Sequence, residues 1–97
     1  MTVDEAKDAF TGKLGAAQDK SGKHIFYCFK DSGSDYTVGK ISHSWTGQLN
    51  DTQTGMLAKK LCLQKQEFEN WVGCTLENDE MLKIWRNRRP TYIHLTS

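Results

Sequence analysis

His24-Ile25-Phe26-Tyr27-Cys28-Phe29, then Asp31-Ser32-Gly33-Ser34-Asp35, then Tyr36-Thr37-Val38-Gly39-Lys40-Ile41-Ser42: the fold turns on this stretch. The two outer runs are short and rich in aromatic and β-branched residues, which suit a pleated, half-buried surface. The residues between them favour turns. A connection this short joins antiparallel strands, so the stretch reads as a β-hairpin. Gly39, with no side chain to pack, is a candidate bulge. Both faces of the first strand carry large apolar groups, which leaves the register open.

Working outward, the N-terminal segment reads as a helix. Thr2 and Glu5 form a capping-box pattern. Val3, Ala6, Phe10, Leu14 and Ala17 recur at helical spacing as one apolar stripe. Gly12 and Gly15 weaken that helix, and Asp19-Lys20-Ser21-Gly22 ends it, with no strand before the hairpin. After the hairpin, a polar loop from Ser44 to Asn50 holds Trp45. Asn50 or Asp51 caps a helix running to about Leu63, with Met56, Leu57, Ala58 and Leu61 facing inward. A short helix over 65–72 stops at Gly73. Thr75 or Asn78 caps a last helix reaching about Arg88, with Met81, Leu82 and Trp85 on one face, and Pro90 ends it. Tyr92-Ile93-His94-Leu95 alternates and is a candidate edge strand. The expected order is α-β-β-α-α-α, an α+β fold in one domain spanning 1–97. A two-stranded hairpin is marginal alone, so the helices must cover one of its faces.

Composition narrows the function classes. Of 97 residues, 37% are hydrophobic and 26% charged, an ordinary globular balance. A chain this short supports one modest core and no deep cofactor cavity. No Gly-rich phosphate loop or dinucleotide fingerprint occurs, and no cofactor is expected. Net charge is only +1, so any nucleic-acid contact must come from a local patch. Cys28, Cys62 and Cys74 have neither disulfide-framework nor zinc-site spacing. Reduced, buried thiols in a cytoplasmic protein are the expectation. No apolar run reaches membrane-spanning length, and the acidic start Met1-Thr2-Val3-Asp4-Glu5 does not read as a secretory signal.

Four groups of residues invite a functional reading. An antiparallel hairpin brings its open ends together, so His24 and His43 meet there beside Lys23, Ser21, Ser42 and Ser44. One histidine as general base, with a lysine to hold phosphate charge, suits RNA cleavage by the RNA's own 2′-hydroxyl. The plainer alternative is a polar hairpin end. Two histidines without a nearby carboxylate or cysteine are too few for a metal, and no metal site is expected. The helix pair over 54–72 follows the apolar template of a helix-turn-helix, but Glu67 and Glu69 on its second helix would repel phosphates, which favours a plain helical hairpin. Lys83, Arg86, Arg88 and Arg89 form a basic run that either contacts a phosphate backbone, with Trp85 or Tyr92 as stacking surfaces, or complements the helix dipole. Trp45 is either a binding anchor or a lid folded over the core.

Gly22-Lys23-His24, the aromatic strand after it, the turn, the second strand and the helix pattern Met56-Leu57-Ala58-Lys59-Lys60-Leu61 resemble HicA-type mRNA interferases over roughly residues 21–63. That resemblance implies a double-stranded-RNA-binding-like α-β-β-β-α fold. It also implies metal-independent ribonuclease activity with His24 as the catalytic histidine.

The expected function is a small binding module contacting nucleic acid, RNA being one candidate, or a protein partner. Its contact residues would be Lys23, His43, Trp45, Lys83, Arg86, Arg88 and Arg89. The HicA-like ribonuclease is the alternative. A protein-directed interaction or inhibitor module, of the kind found among mobile-element proteins, is a second. No membrane partner is expected, and a homodimer is compatible with the sequence.

Overall fold

The computed structural model describes residues 1–89. The candidate strand Tyr92–Leu95 and the stacking role of Tyr92 lie outside the described residues. The fold is α+β, with helices packed on a three-stranded antiparallel sheet of order β1-β2-β3. The strands are β1 (Ala17–Ser21), β2 (His24–Asp31) and β3 (Ser34–Ser42). The helices are α1 (Val3–Asp8), α2 (Asp51–Lys60), α3 (Lys65–Val72) and α4 (Asn78–Arg88).

β1 corrects the expected order to α-β-β-β-α-α-α. α1 passes through a π-helical turn, Ala9–Lys13, and the helical path is finished by Leu14. Ala17 therefore opens a strand and does not extend the helical stripe. β1 is polar, Ala17-Gln18-Asp19-Lys20-Ser21, as suits an exposed sheet edge that must not pair with other chains. It pairs with β2 from Ala17↔Cys28 to Ser21↔His24. The two-residue turn between them starts at Gly22, whose φ of +61° is cheap only for glycine.

The hairpin of β2 and β3 forms as expected, and a bulge settles its register. Tyr27 faces Gly39 and Cys28 faces Thr37, which leaves Val38 without a partner. The bulge shifts the alternation of β3 by one residue. Ile41 and Gly39 are buried on one side of it, Val38 and Tyr36 on the other. The inner face thus gathers Ile25, Tyr27, Phe29, Tyr36, Val38 and Ile41.

The helices close over that face. Phe10 stacks on Tyr27 with centroids 4.8 Å apart and meets Trp71 edge-on at 5.6 Å. Phe29 and Tyr36 meet Trp85 of α4 edge-on at 5.6 and 5.1 Å. Leu14, Leu57, Leu61 and Phe68 are buried as their stripes require. Leu82 is only partly buried, and Met81 and Trp85 are the inward pair of α4. Met56, expected inward, is 57% exposed. It adjoins Leu57 on α2, and an inward Leu57 turns it away from the core.

The caps follow the sequence at two helices and depart from it at a third. Thr2 with Glu5, and Asn50 with Gln53, form capping boxes. α2 stops at Lys60, short of Leu63, because Cys62 enters the left-handed region at φ +58°. Neither Thr75 nor Asn78 caps α4, whose N-cap is Glu77. The Asn78 side-chain oxygen accepts from the Trp71 indole N–H at 3.1 Å instead. The three cysteines are free thiols but not buried as expected: Cys28 and Cys62 are partly exposed, and Cys74 is exposed.

A methyl group at position 39 would lie 2.7 Å from the Phe10 ring. Gly39→Ala is therefore expected to destabilise the fold by about 1–3 kcal/mol through overpacking. Urea denaturation checks this, and a loss under ~0.5 kcal/mol would show that Phe10 is not seated on Gly39.

Candidate nucleic-acid interface

With Ile25, Tyr27 and Ile41 turned inward, alternation sends His24, Phe26 and Cys28 of β2, and Lys40 and Ser42 of β3, to the opposite face. All of these keep contact with solvent. His24 stands in register with Ser42, and Phe26 with Lys40. The Phe26 ring lies between the two basic side chains. Its centroid is 6.1 Å from that of His24 and 5.8 Å from the Lys40 Nζ. Asp19 of β1, in register with Phe26, is the nearest paired carboxylate.

The end of the sheet extends this surface. The backbone N–H of His43 donates to the Lys23 carbonyl at 3.0 Å, which sets the exit of β3 beside the β1–β2 turn. The hydroxyls of Ser42 and Ser44 lie 2.8 Å apart. Lys23, His43 and Ser44 are exposed, and His24 and Ser42 partly so. Lys23, His24, His43, Ser42 and Ser44 thus converge as the hairpin reading required. His24 stands opposite Ser42 on the outer face, and His43 lies in the turn just past the end of β3.

The basic run at the C-terminal end of α4 belongs to a different place. β2 is eight residues long, so His24 and Asp31 at its ends are ~24 Å apart. Asp31 holds both Arg86, at 3.0 Å, and Arg89. Arg89 also lies over the Tyr36 and Trp85 rings, at 4.9 and 5.0 Å from their centroids. Arg88 grips Glu67 with two nitrogens, at 2.5 and 3.1 Å. These three arginines tie α4 to the β2–β3 turn and to α3, sharing two carboxylates, those of Asp31 and Glu67. Lys83 is exposed on α4, apart from the His24 end. Trp45 is half-buried against the core, as a lid would be.

The pairing shifts the carboxylates. Hydrogen bonding to Arg86, and more weakly to Arg89, holds the Asp31 carboxyl below its ordinary range even though its partial burial pushes the other way. Arg88, then the Gln64 backbone N–H, lowers Glu67.

A second basic cluster was missed from the sequence. Lys40 of β3 and Met56, Lys59 and Lys60 of α2 line a cleft of about 350 Å³ beside the open face. Among the described residues, Lys40, Lys59 and Lys60 form no ion pair, in contrast to the three arginines and to Lys65, which pairs with Asp51. The signal was present: Met56 has Lys59 and Lys60 three and four residues on, and an inward Ile41 implies an outward Lys40.

Among the described residues, no group of three or more potential ligands could hold a metal ion, and no helix is long and apolar enough to cross a membrane. No family model, curated protein or solved structure matches the chain.

A lowered carboxyl in the folded state stabilises the fold above the unfolded pKa and loses that effect as pH falls through the folded one. Stability is thus expected to drop below about pH 4, and Asp31→Asn should remove part of that drop. Thermal melts from pH 6 to pH 2 check it. Equal acid sensitivity of wild type and variant would mean that the pair with Arg86 and Arg89 contributes nothing.

Proposed function

We propose that this domain binds RNA through the open face of its sheet and the adjoining end that holds Lys23, His24 and His43. The observation that carries this reading is the grouping of basic side chains without ion pairs, Lys40 and His24 among them, beside a half-buried aromatic, Phe26, on the open face. Positive groups track a phosphate backbone, and aromatic rings stack unpaired bases. At the other end of the sheet Arg86 and Arg89 share the Asp31 carboxylate and Arg88 pairs with Glu67, so most of the arginine charge is engaged within the fold. With a net charge of +1, the chain can meet phosphate only through a local basic face of this kind.

A second reading, RNA cleavage, is favoured by β1. The strand supplies the α-β-β-β-α order that the HicA resemblance implies, with Gly22-Lys23-His24 at its β1–β2 turn. In this reading His24 takes the 2′-hydroxyl proton, and the 2′-oxygen bonds to the adjacent phosphorus as the P–O5′ bond breaks. The leaving 5′-oxygen takes a proton from water, giving a 2′,3′-cyclic phosphate, with Lys23 offsetting charge on the phosphorus centre.

Fluorescence anisotropy with single-stranded RNA, structured RNA and duplex DNA at two salt concentrations tests the first reading. Wild type should bind RNA with a steep salt dependence. Lys23→Ala/His43→Ala should weaken that binding by about tenfold at low salt, with an unchanged melting temperature, since both residues are exposed. Salt-independent or absent RNA binding would overturn the proposal. In the same preparations, cleavage that is lost by a factor of ~10² or more in His24→Ala would promote the second reading. Intact RNA after prolonged incubation with wild type would remove it.

A further inference from the structure

Met56 is the large apolar side chain most at odds with its surroundings: among the described residues it alone of its class is exposed. It does not stand by itself. Lys59 and Lys60 lie three and four residues further along α2, on the same side of the helix, and Lys40 faces them from β3 across the cleft. The volume, about 350 Å³, falls at the lower end of small-ligand sites. Three lysines line it, and no carboxylate is among its described lining residues.

Two simpler explanations cover parts of this arrangement. Lys59 and Lys60 sit in the last turn of α2, where cations complement the helix dipole. That accounts for two lysines, but for neither the exposed Met56 nor the third cation brought in by a different element. An exposed methionine alone is unremarkable. An apolar, polarizable side chain lining a cleft together with three lysines suits a ligand with a flat apolar part and negative charge on its flanks. A nucleotide has both, and a thioether packs well against an aromatic ring.

We propose that this cleft seats one nucleotide of a single-stranded RNA, with the base on Met56 and the flanking phosphates at Lys59, Lys60 and Lys40. The proposal rests on the RNA-binding reading and deepens it by naming the strand state. A base stacked inside a duplex cannot reach Met56, whereas a splayed base can. Lys40 belongs to both regions, since its Nζ also lies over the Phe26 ring. A strand leaving the cleft therefore passes Phe26 and then His24, and the cleft lengthens the contact surface beyond the sheet.

The test is a titration of the full chain by anisotropy with a labelled single-stranded oligoribonucleotide, the same sequence as a duplex, and free AMP as competitor. Lys59→Ala/Lys60→Ala should weaken single-strand binding at least tenfold at low salt and reduce the slope of log K against log salt by about 1.4, or ~0.7 per lost phosphate contact. Met56→Ala should weaken binding about fivefold or more and leave the slope unchanged, as loss of a stacking surface does. Circular dichroism should show all variants folded, and Lys59→Glu/Lys60→Glu should weaken binding beyond the alanine pair. If wild type binds RNA but the α2 variants bind equally well, the cleft proposal fails and the RNA reading stands. Equal affinity for duplex and single strand also overturns it. An oligonucleotide held no more tightly than AMP would assign the cleft to a free nucleotide and contradict the strand. Wild type that binds no RNA overturns both.

Discussion

The ring of Phe10 lies on Tyr27 and over the bare Cα of Gly39, and the helical layer is seated on the sheet at that point. The contact is possible because position 39 has no side chain. Trp71 and Phe68 join the same cluster from α3, with centroids 5.6 and 6.1 Å from that of Phe10. Such pairs contribute about 0.5–1.5 kcal/mol each beyond the area they bury. The cluster tolerates a cost. The Tyr27 hydroxyl is buried without a protein partner, and burial pushes its phenol pKa up. An orphaned hydroxyl costs about 1–3 kcal/mol, so the packing of the Tyr27 ring has to outweigh it.

Seating Phe10 on Gly39 also decides what faces outward. The bulge at Val38 lets β3 bury residues of opposite parity on its two sides, so the whole inner face is apolar. The outer face is then left with His24, Phe26, Lys40 and Ser42. Further along, Asp31 draws Arg86 and Arg89 into α4's attachment. The protein thus separates its cations by role. Arginines with planar, bidentate geometry hold the fold together at one end. Lysines without acid partners surround the aromatic surface at the other. The proposed RNA contact follows from this separation and not from total charge.

Much of the fold was legible in the sequence, and the losses have physical causes. The hairpin, α3 and the caps at Thr2 and Asn50 follow directly from local chemistry. β1 was not legible because Gln18, Asp19 and Lys20 are poor strand formers, and they belong to an edge that must stay polar. Ala17 also falls on the helical stripe of Phe10 and Leu14, so the helix pattern overran the true boundary. At the site, Lys23, His24 and His43 could be grouped because a hairpin joins its own ends. The arginines misled because their partners, Asp31 and Glu67, are distant in sequence. Lys40 and Lys59 were missed for the same reason, since only the packing of α2 against β3 makes them neighbours.

In the proposed complex, phosphate is met at the His24 end and its lysine-lined flank, not at the arginine end. Amide chemical-shift mapping during titration with single-stranded RNA tests this most directly. Shifts concentrated at Lys23, His24, Phe26, Lys40 and Lys59, with Asp31 and Arg86 to Arg89 still, are the predicted result. Shifts centred on Asp31 and α4, with the His24 end unmoved, would contradict it.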